Sequence, residues 1–198
     1  MGAWVLEDDY DSEYRYAGRP LAALQGLDTA GRVIYMGAFS KVLFPALRLG
    51  YLVAPPDLAD AFARAKALTD RGSPVLGQAV VADFLAEGHV GRHIRRMRAL
   101  YSERQGALTH AARERLAGAI DVPAQECGMS VMGWLPAGTD DRRVSLVAAR
   151  HGVEATALST FGLEPCHAPG LVLGYAHLDE PRIRAGVDRL ATTLEDVL

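Results

Sequence analysis

Cysteine is scarce here: the 198 residues include only two, Cys127 and Cys166, far apart and without CxxC spacing. Free thiols in a reducing compartment are expected rather than a disulfide. An excess of positive charge is also missing, since the net charge is −3, which gives no global attraction to nucleic acid or to an anionic membrane. No apolar run approaches the length of a membrane-spanning helix, and no signal peptide precedes the first apolar run, so a cytoplasmic protein is expected. There is no internal repeat, no low-complexity segment, no HExxH string, and no Gly-x-Ser-x-Gly setting around Ser159. His89 and His93 have the spacing of a helical metal pair, but Gly88 and Gly91 argue against helix there and no carboxylate accompanies them. No metal is expected. Arg92, His93, Arg95, Arg96 and Arg98 cluster without interleaved aromatics, and Glu103 and Glu114 follow on the same predicted helix. That pattern reads as a solvated face or a subunit contact rather than a nucleic-acid footprint.

What is present is ordinary globular material, 49% hydrophobic and 23% charged, enough for one domain or two small ones. Within it, Gly37-Ala38-Phe39-Ser40-Lys41 follows the β-branched run Val33-Ile34-Tyr35, with Arg48 at the seventh residue after the lysine. A lysine on a small-residue turn after an apolar strand is either a surface residue ending that strand or an amine placed in a pocket. In a pocket, desolvation lowers its pKa and lets it form Schiff bases with carbonyls. Upstream, Glu7-Asp8-Asp9-Tyr10 closes another apolar run, Ala3-Trp4-Val5-Leu6, about one strand–crossover–strand unit before Lys41. Ligands collect at the carboxyl ends of strands in parallel α/β sheets, which would bring Asp8, Tyr10 and Lys41 to one crevice. A carboxylate, a phenol, an amine and a guanidinium together suit pyridoxal phosphate.

The ordered strings Val5-Leu6-Glu7-Asp8-Asp9-Tyr10-Asp11-Ser12-Glu13-Tyr14-Arg15-Tyr16, Gly31-Arg32-Val33-Ile34-Tyr35, Phe39-Ser40-Lys41-Val42-Leu43-Phe44-Pro45, Leu47-Arg48-Leu49-Gly50-Tyr51 and His93-Ile94-Arg95-Arg96-Met97-Arg98 carry a resemblance. The chain resembles the fold-type I pyridoxal-phosphate domain of the MocR/GabR-type bacterial regulators, transcription factors of the GntR superfamily with an aminotransferase-like domain. The resemblance implies Lys41 as the catalytic, Schiff-base lysine and Asp8 as partner of the pyridine nitrogen. It implies Tyr10 as donor to the phenolic oxygen of the cofactor and Arg48 as its phosphate ligand.

Two departures qualify that transfer. Many relatives carry Ser or Thr three residues before the lysine, where this chain has Ala38, a loss of one charge-assisted bond worth roughly 1.5–3 kcal/mol. Aminotransferases hold the substrate carboxylate with an arginine on a late strand, and in Leu171-Val172-Leu173-Gly174-Tyr175 that position is Val172. The alternative anchors, Arg182 and Arg184, are expected to face solvent. The resemblance thus favours an effector sensor over a true aminotransferase, which remains the runner-up, with a non-catalytic dimerisation module in which Lys41 is retained for structure as a third reading. It further implies a homodimer, an amino-acid-like effector, DNA contact through an N-terminal winged-helix domain outside this chain, and a glycine- and serine-rich phosphate loop also outside it.

The expected fold is α/β. Residues 1–117 form a remnant of the transferase large domain, with a mostly parallel sheet and a linking helix, and residues 118–198 form a small C-terminal α+β domain. Strands are predicted at Ala3–Asp8, Val33–Met36, Leu49–Val53, Gly128–Leu135, Val153–Ala157 and Leu171–Tyr175. Helices are predicted from Pro56, from Val75 to Gly88, from about His93 to Leu116, from Asp141 to His151 and over Glu180–Val197. Arg71-Gly72-Ser73-Pro74 is expected as a break, and Gly162 to Gly170, with Pro165 and Pro169, as a loop.

Overall fold

The structure, a computed structural model, describes residues 2–72, 74–162 and 168–197. Ser73 of the expected break, and Pro165 and Cys166 of the expected loop, lie outside the described residues. Two compact units form, one up to Arg96 and one from Met97 onward.

The first unit holds β1 (Val5–Asp9), α1 (Leu24–Leu27), β2 (Val33–Ala38), α2 (Phe39–Val42), β3 (Gly50–Val53), α3 (Pro56–Asp70), α4 (Val75–Ala86) and the start of α5 (His89–Arg115). β1 lies parallel to β2, from Val5 opposite Val33 to Asp9 opposite Gly37. β3 runs antiparallel on the other side of β2, from Tyr35 opposite Val53 to Ala38 opposite Gly50. A parallel pair needs a crossover, and acidic side chains organise this one. The Glu7 carboxylate accepts the Leu24 and Gln25 amides at 2.8 and 2.9 Å, satisfying donors that open α1. Asp28 accepts the amides of Ala30, Arg32 and Val33 at 2.8, 2.5 and 2.7 Å and so shapes the entry to β2. Those backbone donors, Val33 foremost, hold the Asp28 carboxyl below its usual range.

Pro56 opens α3 as its first residue, and Arg71 closes it in the left-handed conformation at φ 51°. The apolar stripe of α3 is largely open to solvent, with Leu68 81% exposed, and α4 buries only Val81. Gly88, at φ +72°, turns the chain between α4 and α5. That turn lets α5 begin at His89, four residues earlier than the spacing of Gly88 and Gly91 suggested. Among the described residues of this unit, Tyr14, Ile34, Val42, Pro55, Val81 and Val90 are the buried apolar ones.

The second unit holds the rest of α5 with β4 (Ser130–Trp134), α6 (Asp141–Arg150), β5 (Thr156–Ala157), β6 (Gly170–Gly174) and α7 (Glu180–Val197). Its sheet has the order β4-β6-β5, antiparallel throughout. Period-two alternation buries Val131, Leu171 and Leu173 in a core with Leu108, Leu116, Val144, Ile183, Val187, Leu190 and Leu194. Fully buried Tyr175 donates its hydroxyl to the Gly128 carbonyl at 2.8 Å and accepts from Gln105 at 3.1 Å, so no polar group is stranded there.

Candidate functional site

Because β1 and β2 are parallel, their C-terminal ends share one edge of the sheet. Side chains alternate along each strand, so Asp8 lies on the same face as its partner Met36 and as Ala38. Lys41 follows three residues after Ala38, inside the four-residue helix α2. The Lys41 amine sits 4.7 Å from the centre of the Tyr10 ring, a cation–π distance. The structure therefore brings Tyr10 and Lys41 together at the edge that Asp8 also occupies.

Arg48 is carried by the loop between β2 and β3. That loop is closed where the Phe39 amide donates to the Leu49 carbonyl at 2.9 Å. Arg48 ends the 3-10 turn Pro45–Leu47 at φ 50°, ψ 34°, a left-handed conformation uncommon outside glycine. Asp8, Tyr10, Lys41 and Arg48 are all exposed in this chain. Among the described residues no hydrogen bond or ion pair joins Asp8 or Arg48 to Lys41. The desolvation anticipated for a pocket lysine is not supplied by the described residues.

The opposite face carries a polar network that sequence reading missed. The Tyr35 hydroxyl donates to Asp9 Oδ2 at 2.6 Å, and Ser12 donates its hydroxyl to Oδ2 at 2.7 Å and its amide to Oδ1 at 3.1 Å. Partial burial pushes the Asp9 carboxyl up, but the donors from Tyr35 and Ser12 outweigh it and hold the group below its ordinary value. Burial, with the Asp9 and Tyr51 contacts, drives the Tyr35 phenol well above its usual range. Partial burial and the Asp9 charge raise the neighbouring Asp11 carboxyl. Tyr51 packs against Phe39 at 5.4 Å and Tyr35 at 6.1 Å between ring centres. Tyr14 was also missed: it is fully buried, and its hydroxyl lies 3.1 Å from the Lys41 carbonyl and 3.3 Å from that of Val42. Its signal was an aromatic residue with a polar tip just past the acidic cluster.

In the second unit, Val172 pairs with Met132 and Thr156 on the face of the sheet away from the buried Leu171 and Leu173. Arg184 is exposed and bonded to Glu180 at 2.9 Å, and Arg182 is exposed. The His89 ring contacts Glu87 at 2.8 Å and Arg92 at 2.7 Å.

No family model matches the chain. It is 43% identical over 188 residues to the probable rhizopine catabolism regulatory protein MocR of Rhizobium meliloti, covering 95% of this chain and 38% of that protein. The uncharacterised HTH-type transcriptional regulator YhdI of Bacillus subtilis is 35% identical over 190 residues, covering 96% of this chain and 40% of that protein. The chain matches the aminotransferase-like part of MocR-type regulators along nearly its whole length. A solved kynurenine aminotransferase of Pyrococcus horikoshii, in complex with PMP, superposes with a TM-score of 0.89 at 33% identity, covering 98% of this chain and 48% of the other. The chain thus has the fold-type I aminotransferase fold, and it spans 38% to 48% of the length of these relatives.

Proposed function

We propose that this chain is the pyridoxal-phosphate-binding, effector-sensing part of a bacterial transcriptional regulator. The carrying observation is Lys41 poised over Tyr10 at the sheet edge that Asp8 shares, in a chain 43% identical to part of a MocR regulator. The donor set fits the cofactor: a carboxylate, a phenol, a primary amine and a guanidinium, all exposed, with small Gly37 and Ala38 at the end of β2. Bound pyridoxal phosphate supplies an aldehyde that an amine can attack and a ring that draws electrons from it. Lys41 contributes that amine. Asp8 would keep a proton on the ring nitrogen, because a nearby anion favours the charged form. Tyr10 would donate its O–H to the phenolic oxygen, and Arg48 would offer a planar fork to the phosphate.

The regulatory reading has an amino-acid-like effector biasing two states of a homodimer, with DNA contacted by a winged-helix domain elsewhere in the intact protein. Val172, at the place where aminotransferases carry an arginine for the substrate carboxylate, supports sensing over turnover. In the intact protein, a visible absorbance of lysine-bound cofactor is expected, and Lys41→Ala abolishes it. Stopped-flow mixing with alanine, aspartate and glutamate, followed by keto-acid assay, is expected to find only very slow turnover. Rapid multiple turnover with any of them would instead establish an aminotransferase, the reading favoured by the likeness to the Pyrococcus enzyme.

A further inference from the structure

The last carbonyls of any helix lack intrahelical partners, and in a helix as short as α2 they are a large share of its backbone. The Lys41 and Val42 carbonyls find an external donor, the single O–H of Tyr14, at 3.1 and 3.3 Å. Tyr14 is fully buried and Val42 is 4% exposed, so the half of this contact to Val42 is shielded from water and costly to lose, while the half to Lys41 is partly buried. Tyr14 is itself tied to β1. It ends the 3-10 turn Ser12–Tyr14, closed by its own amide on the Asp11 carbonyl at 2.9 Å. Ser12, which opens that turn, is bonded twice to Asp9, the last residue of β1. A continuous line of bonds thus runs from the strand end beside Asp8, through Asp9, Ser12 and Tyr14, to the backbone of Lys41.

We infer that Tyr14 is a positioning residue for Lys41: it clamps the lysine-bearing turn to the strand end that carries Asp8, setting where the amine stands relative to the carboxylate. The inference rests on the cofactor reading above, and its test separates the two. In the cofactor-free intact protein, Tyr14→Phe keeps the ring and removes only the hydroxyl. Hydrogen exchange of the backbone over residues 39–44 is expected to rise on the order of tenfold, with the second unit unchanged. In the cofactor-loaded protein, the pH midpoint of the lysine-bound absorbance is expected to shift, and borohydride trapping of Lys41 to slow on the order of tenfold. Ser12→Ala, at an exposed position, is expected to move the same readouts the same way by about twofold, and it carries the test if Tyr14→Phe does not fold. Unchanged exchange over residues 39–44, or an even rise throughout residues 2–96, overturns the clamp. Faster exchange with an unmoved pH midpoint and trapping rate overturns the positioning role. If the unsubstituted protein takes up no cofactor, the proposed function falls while the exchange measurement still judges the clamp.

Discussion

A Cβ built on Gly37 would lie 2.4 Å from Cζ of Tyr51, far inside any real contact. Tyr51 sits opposite Gly37 in the β2–β3 register, and its ring packs on Phe39 just before Lys41. The glycine therefore makes room for the aromatic cluster that supports the lysine turn. Gly37→Ala is expected to destabilise the protein by about 1–3 kcal/mol, read by urea unfolding, because the ring must leave its packing. In a Tyr51→Ala background most of that cost should disappear, so a strictly additive double mutant would refute the steric account. The same scale holds the clearest limit of sequence reading. Lys41, Tyr10 and Asp8 could be named as candidates from sequence because each stands in a short local string, at or just past the end of an apolar run. Tyr14 could not be, because its partners are 27 and 28 residues away and only folding brings them to it.

Among the elements, α6 shows how one buried charge ties several segments together. Asp140 caps the helix by accepting the Arg143 amide at 3.1 Å. Asp141, 3% exposed, accepts the Ser159 amide at 3.0 Å, the Ser159 hydroxyl at 2.5 Å and the Gly170 amide at 3.3 Å. It thereby holds the turn after β5 and the first residue of β6. Burial raises its pKa, but these donors outweigh burial and leave the carboxyl below the ordinary 3.8. A lowered folded pKa gives stability that is fully present above the unfolded value and is lost as pH falls through the folded one. Asp141→Asn is expected to cost about 2–3 kcal/mol at neutral pH, since the new amide turns a donor toward donors. Followed by denaturant unfolding, the gap between the two proteins should close below the unfolded carboxyl value of 3.8, and a gap that widens toward acid would contradict the assignment. The early start of α5 belongs to this scale too. Gly88 and Gly91 looked like breakers in sequence, yet Gly88 serves as the turn and Gly91 lies inside the helix.

Over the whole molecule the two units differ in how completely they bury their apolar residues. Among the described large hydrophobics that remain exposed, all but Trp134, Leu146 and Phe161 lie before Arg96. They include Leu6 at 65%, Leu21 at 80%, Leu68 at 81% and Leu76 at 79%. Apolar exposure on this scale favours association through the exposed patches, and it leaves few buried contacts to resist local opening. The chain on its own is expected to bind a hydrophobic dye through the first unit and to associate non-specifically. Its slowest-exchanging amides are expected in β4, β6 and α7. A monodisperse monomer with equal protection in both units would contradict that picture.

Most of the longer strands and helices, and the resemblance that singles out Asp8, Tyr10, Lys41 and Arg48 as candidates, were readable from the sequence alone, whereas the short α1 and α2, the early start of α5 and the two-residue length of β5 were not. Periodicity, turn residues and side-chain chemistry are properties of short stretches of chain, and such stretches can be read one at a time. The antiparallel course of β3, the closure of the Arg48 loop on Phe39, the Asp9–Tyr35–Tyr51 network and the Tyr14 contact beneath Lys41 were decided only by the tertiary structure. Each depends on groups distant in sequence meeting at hydrogen-bonding or packing range, and no local pattern encodes that meeting. The physical reason is burial: a polar group taken out of water must find whichever partner the fold places beside it.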